Sequence, residues 1–125
     1  MNTFVHGPAA LAGHYIDTWN ETDAERRTAL LQAHWSEAAH YVDPMAQARG
    51  HAQIAELIGG VQQRYPGFRF RLKGVPDAHG THLRFSWTLG PAGAEDLIEG
   101  TDFALIDGGR LGSVTGFLDK VPVGA

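Results

Sequence analysis

Cysteine is absent from the 125 residues. With it go a disulfide framework, a thiolate metal site and a cysteine nucleophile. The absence fits a reducing compartment, and a cytoplasmic location is expected. No basic stretch and no long apolar run opens the chain at Met1-Asn2-Thr3-Phe4-Val5-His6-Gly7-Pro8, so neither a signal peptide nor a membrane span is expected. Positive charge is the scarcer sign. Ten Lys and Arg against fourteen Asp and Glu give a net charge of −4 and a pI near 5.9, which argues against a nucleic-acid partner. No internal repeat, low-complexity tract, linker or Gly-rich phosphate loop is visible.

What remains is enough for a core. Hydrophobic residues are 43% and aromatics 10% of the chain, too many for a disordered one. Its length suits one domain over 1–125, with about two-thirds of the unfolded surface buried. The first half reads as helical. Pro8 suits a first helical position, and Leu11, Tyr15 and Trp19 recur every four residues with Ile16 beside them, predicting a helix to about Asn20 with Tyr15 pointing inward. Thr22-Asp23-Ala24-Glu25 has the pattern of a capping box and predicts a second helix, with Leu30, Leu31, His34 and Trp35 as its buried stripe. Ala39 to Pro44 predicts a short strand stopped by the proline. After Arg49-Gly50, the spacing of Ile54, Leu57, Ile58 and Val61 predicts a third helix, closed before Pro66-Gly67.

The second half alternates with period two. Phe68, Phe70 and Leu72 face opposite to Arg69, Arg71 and Lys73, and after a turn at His79-Gly80 the residues Leu83, Phe85, Trp87 and Leu89 face opposite to Arg84, Ser86 and Thr88. The stretches Glu95 to Ile106 and Leu111 to Leu118, joined by Asp107-Gly108-Gly109, predict a closing hairpin. Helices followed by strands predict an α+β fold.

Several stretches carry a resemblance: Tyr15-Ile16-Asp17-Thr18-Trp19-Asn20-Glu21-Thr22-Asp23, Tyr41-Val42-Asp43-Pro44, Arg84-Phe85-Ser86-Trp87 and Gly116-Phe117. In this order and spacing the chain resembles the SnoaL-like polyketide cyclases and ketosteroid isomerases of the nuclear transport factor 2-like superfamily. The resemblance implies three N-terminal helices packed on a strongly curved, mainly antiparallel sheet, a cone-like fold with an apolar pocket. It implies cofactor-free isomerase or cyclase chemistry on an apolar small molecule, and a homodimer paired through the sheet. A non-catalytic ligand-binding or dimerisation module of the same fold is the alternative, because fold does not fix function.

In ketosteroid isomerases a first-helix tyrosine and a late-strand aspartic acid stabilise the oxyanion, while an aspartate in an Asp-Pro step moves the proton. By resemblance these are Tyr15, Asp102 and Asp43. Trp19, Trp35, Tyr41, Phe85, Trp87 and Phe117 are expected to wall the pocket, with Arg84 and His82 supporting. Simpler readings stand beside these. Tyr15 could be plain core, Asp43 a turn cap and Asp102 a solvent-facing carboxylate. Epoxide hydrolases of this fold place an aspartate two residues after an arginine; Ser86 stands there after Arg84, and Arg84 is then free to pair with a neighbouring carboxylate. Seven histidines include no His-x-His and no His-Glu-x-x-His, so no metal is expected. Arg64, Arg69, Arg71 and Lys73, interleaved with Tyr65, Phe68 and Phe70, read as a solvated face over a core.

Overall fold

The computed structural model describes residues 7–122. The stretch 1–6, part of the N-terminal segment behind the targeting expectation, lies outside them. Helix α1 (Gly7–Asn20) buries Leu11, Tyr15, Ile16 and Trp19, the face its spacing predicts. Helix α2 (Ala24–His34) starts one residue later than the capping pattern implies. Asp23, not Thr22, is the cap, its carboxylate accepting the Arg26 N–H at 2.9 Å. A carboxylate there also meets the positive end of the helix. The helix buries Leu31 and Arg27, while Leu30 and His34 are half-buried. Arg27 donates to the Glu21 carbonyl at 3.1 Å and to Gln62 Oε1 at 2.6 Å, so a buried cation ties down the carbonyl end of α1.

Strand β1 (Trp35–Val42) begins directly off α2, four residues before the predicted start. Trp35 is its first residue, and its N–H still closes the helix on Leu31. Strand β2 (Gln47–Arg49), which the sequence pattern misses, folds back on β1 as an antiparallel hairpin. The turn between them is made by Asp43, whose N–H reaches the Ala46 carbonyl at 2.9 Å. Helix α3 (Gly50–Arg64) buries Ile54 and Ile58 and half-buries Leu57 and Val61.

Strands β3 (Phe68–His79), β4 (His82–Pro91), β5 (Ile98–Asp107) and β6 (Arg110–Lys120) form the meander. The sheet order is β2-β1-β6-β5-β4-β3, with every pair antiparallel except β1 and β6. Register shifts interrupt the β1/β6, β3/β4 and β5/β6 ladders. Such irregularities bend strands and let a sheet wrap around helices. Alternation sorts the faces as predicted. Leu83, Phe85, Trp87 and Leu89 turn inward, while Arg71–Asp96 at 3.3 Å, Lys73–Glu99 at 2.6 Å and Arg84–Asp77 at 3.3 Å pair on the exposed face. These surface pairs add little stability. They explain why so many charges sit beside aromatics in sequence. The core runs between the inner sheet face and α1, α2 and α3. Among the described residues no helix is long and apolar enough to cross a membrane.

Candidate active site

A pocket of about 1000 Å³ opens between α3 and the inner face of the sheet. Its lining includes all three residues expected to carry chemistry: Tyr15 from α1, Asp43 from the turn after β1 and Asp102 from β5. What lets the two aspartate side chains approach each other is a glycine. A Cβ on Gly116 would lie 2.9 Å from Asp102 Oδ1 and 3.4 Å from Asp43 Cβ, so only hydrogen fits between them. Gly116 is the β6 residue paired with Asp102, which fixes this meeting through sheet register. A second glycine works the same way: a Cβ on Gly100 would collide with the Trp87 indole lying across β5.

Asp102 faces inward and is buried, in the register that oxyanion chemistry needs. Tyr15 Oη donates to its Oδ2 and Trp87 Nε1 donates to its Oδ1 at 3.0 Å. Burial pushes the Asp102 carboxyl up to about 6, although the Tyr15 and Trp87 hydrogen bonds pull the other way. Burial, with the Asp102 charge next, also holds Tyr15 well above the usual phenol range. Tyr41 is raised by burial and then by the Asp102 and Asp43 charges. Both phenols therefore stay protonated at neutral pH.

Asp43 is half-buried and held differently. Tyr41 Oη donates to Oδ2 at 2.6 Å, and the Met45 and Ala46 N–H groups donate to Oδ1 at 2.8 and 2.9 Å. A carboxylate accepts at about four positions, so Oδ2 keeps acceptor capacity. Asp43 is thus both a turn former and a pocket carboxylate.

The expected walls divide. Trp19, Tyr41 and Trp87 line the pocket. Trp35 and Phe85 do not; they stand behind Tyr15, their ring centroids 5.4 and 4.7 Å from its own, and fix its position. Trp35 also donates to Thr18 Oγ1 at 3.3 Å. Phe117 borders the pocket, but strand alternation from Gly116 sends its ring to the other face, and it is 57% exposed. Arg84 pairs with Asp77 on the surface, and His82 stacks on His79, both remote from the pocket because their strand positions alternate outward. Phe70 and the α3 stripe of Gln53, Leu57, Val61 and Arg64 line the pocket as well, beyond the walls expected from the sequence, and helical spacing is the signal that marks the stripe. The buried Trp19 Nε1 has no hydrogen-bond partner among the described residues. No group of three or more His, Cys, Asp or Glu side chains gathers there to hold a metal.

Three helices against a bent mixed sheet, with a pocket between them, define a protein of the nuclear transport factor 2-like α+β fold. An NTF2-like protein of unknown function from Cytophaga hutchinsonii shares it with a TM-score of 0.67 at 12% identity, over 90% of each chain. Within that class the chain belongs to the SnoaL-like domain family, whose sequence profile it matches over residues 12–113. A protein of Agrobacterium tumefaciens, provisionally described as an isomerase of the SnoaL-like family, is 43% identical, with a TM-score of 0.85 over 88% of this chain and 95% of that one. A protein of Kribbella flavida, provisionally described as a ketosteroid isomerase, is 26% identical, with a TM-score of 0.68 over 91% and 78%. No curated protein of described function matches the chain.

Proposed function

We propose that the protein is a cofactor-free acid–base enzyme of the isomerase or cyclase type, acting on an apolar carbonyl compound. The observation that carries this reading is the pair Asp43 and Asp102 on either side of Gly116, in a largely apolar pocket, with Tyr15 bonded to one of them. Asp43 takes a proton from the carbon beside the carbonyl, and the electron pair moves onto the carbonyl oxygen. Protonated Asp102, hydrogen-bonded to Tyr15, frees the phenol to donate to that oxygen. Asp43 then returns the proton to a second carbon, which completes an isomerisation. In the cyclase variant the enolate carbon bonds to a second carbonyl carbon, that carbonyl's electron pair moves onto its oxygen, and Asp43 gives its proton to the alkoxide. A positioned base gives about 10²–10⁴ in rate and an oxyanion donor roughly 3–4 kcal/mol. Together these suffice for an enolisation.

The same geometry supports a second assignment of roles. Both Asp102 oxygens accept hydrogen bonds, an arrangement that suits the ionised form and would make Asp102 the base. The pH dependence separates the two. Activity falling as pH rises through about 6 assigns Asp102 as donor; activity rising there assigns it as base. The decisive experiment on the enzyme reading combines Asp43→Asn with titration of 2-naphthol, a phenolic enolate mimic. Removing the neighbouring charge should change naphthol affinity by about tenfold. Unchanged binding, with no pocket carboxylate titrating above pH 5, would leave a non-catalytic binding module. The exposed Phe103, Leu105 and Phe117 support the expectation of a homodimer through the outer sheet face.

A further inference from the structure

The pocket floor carries two carboxylates that no cation among the described residues pairs with. Asp102 is hydrogen-bonded to two neutral donors, Tyr15 and Trp87, and Asp43 to Tyr41 and two backbone amides. Among the described residues neither carboxylate enters an ion pair. Beside them runs an unbroken aromatic wall, with ring centroids 5.5 Å apart from Tyr41 to Trp19, 5.4 Å from Trp19 to Phe70 and 5.2 Å from Phe70 to Trp87. Aromatic faces are electron-rich and attract an organic cation within about 6 Å. A carboxylate in apolar surroundings adds a Coulomb attraction that water and salt screen little. Farther out in the lining, Glu56 and Arg64 of α3 are exposed and of opposite sign, so they leave the sign of the floor unchanged.

We propose that this pocket also binds small quaternary or tertiary alkylammonium compounds, seated against Trp19, Phe70 and Trp87 with Asp43 and Asp102 as counter-charges. N-alkylation matters. A primary ammonium has three N–H groups to satisfy, while most acceptor positions on the floor are already filled; an alkylated nitrogen needs few or none and presents methyl groups to the rings. The ligand class differs from the neutral carbonyl compound proposed for turnover, and cation binding requires no chemistry. The two ligand classes compete for one floor.

Asp102 makes the choice between them depend on pH. The titratable and charged groups around it are Tyr15 on α1, Tyr41 and Asp43 on β1 and its turn, Asp119 on β6, and Glu56 and Arg64 on the α3 side of the pocket. Tyr15 and Tyr41 stay neutral, whereas Asp102 is largely protonated at pH 5 and largely ionised at pH 8.

The test compares choline with 3,3-dimethylbutan-1-ol, its uncharged isostere, by calorimetry and tryptophan fluorescence. At pH 8 choline should bind about tenfold more tightly than the alcohol, and at pH 5 the advantage should shrink severalfold. In Asp102→Asn the smaller advantage should hold at both values. Equal affinities at pH 8, or a choline advantage that does not change between pH 5 and pH 8, would overturn the proposal. The pH series on the unaltered protein carries the test if the variant does not fold. The naphthol titration reads the catalytic proposal independently, so either can fail alone.

Discussion

Asp43 and Asp102 flank one glycine, yet the chain holds them by opposite means. Asp43 sits in a turn, where two backbone amides and a phenol fix a half-buried carboxylate that also shapes the β1–β2 hairpin. Asp102 sits inside a strand, where burial dominates and, among the described residues, only Tyr15 and Trp87 hydrogen-bond to the carboxylate. The same side chain is thus anchored by local backbone in one place and enclosed by distant aromatics in the other. A carboxylate's acidity follows its surroundings, and at Asp102 the dominant influence is burial.

The largest expected effect breaks the comparison from the Asp102 side. Its folded pKa is raised from 3.8 to about 6, so the folded state binds this proton more tightly than the unfolded state does. The stability contributed by protonation is complete below 3.8, is lost as pH rises through about 6, and changes no further above that. Two pKa units correspond to on the order of 3 kcal/mol. Asp102→Asn cannot ionise and escapes the loss. Urea unfolding should show the variant gaining roughly that amount on the parent between pH 4 and pH 8. Curves that stay parallel across this range would mean that Asp102 is not enclosed as described.

Much of this arrangement is legible in the amino-acid sequence, and the part that is not has physical reasons. Periodicity reveals α3 and the faces of β4, because a stripe every three to four residues or every second residue follows from local geometry alone. Asp43-Pro44 announces its turn for the same reason. Strand β2 stays hidden because three residues, two of them exposed, leave no pattern; pairing with β1 makes them a strand. Trp35 reads as the end of a helical stripe, since nothing local tells the last helical turn from the first strand residue. Inward alternation marks Phe85 and Trp87 alike, but only the crossing of α1 over the sheet decides that one backs Tyr15 while the other meets the pocket. Phe117 only borders the pocket, because Gly116 beside it holds the inward position and contributes through the absence of a side chain.

Gly116 is accordingly where the two environments can be pushed together. Gly116→Ala puts a methyl group 2.9 Å from Asp102 Oδ1, closer than ordinary contact, beside a carboxylate already bonded to Trp87 and Tyr15. Overpacking of this kind typically costs about 1–3 kcal/mol. The strain should fall on Asp102, whose oxygen is nearer than Asp43 Cβ at 3.4 Å. The expected signature is lower stability in urea together with a changed Asp102 titration by carboxyl NMR. Full stability and an unmoved titration would show that the glycine does not set the spacing.

The smallest change sharpens the contrast from the other side. Tyr41→Phe removes the phenol from Asp43 Oδ2 but leaves the Met45 and Ala46 amides on Oδ1. A hydrogen bond to an ionised group is worth about 1.5–3 kcal/mol when buried. Asp43 is half-buried and its released oxygen can turn to water in the open pocket, so a loss near 1 kcal/mol is expected. The amides should keep the turn, and the β1–β2 hairpin should retain its hydrogen-exchange protection. Loss of that protection would mean that Tyr41, rather than the backbone, anchors Asp43, and the two carboxylates would then both depend on aromatic neighbours.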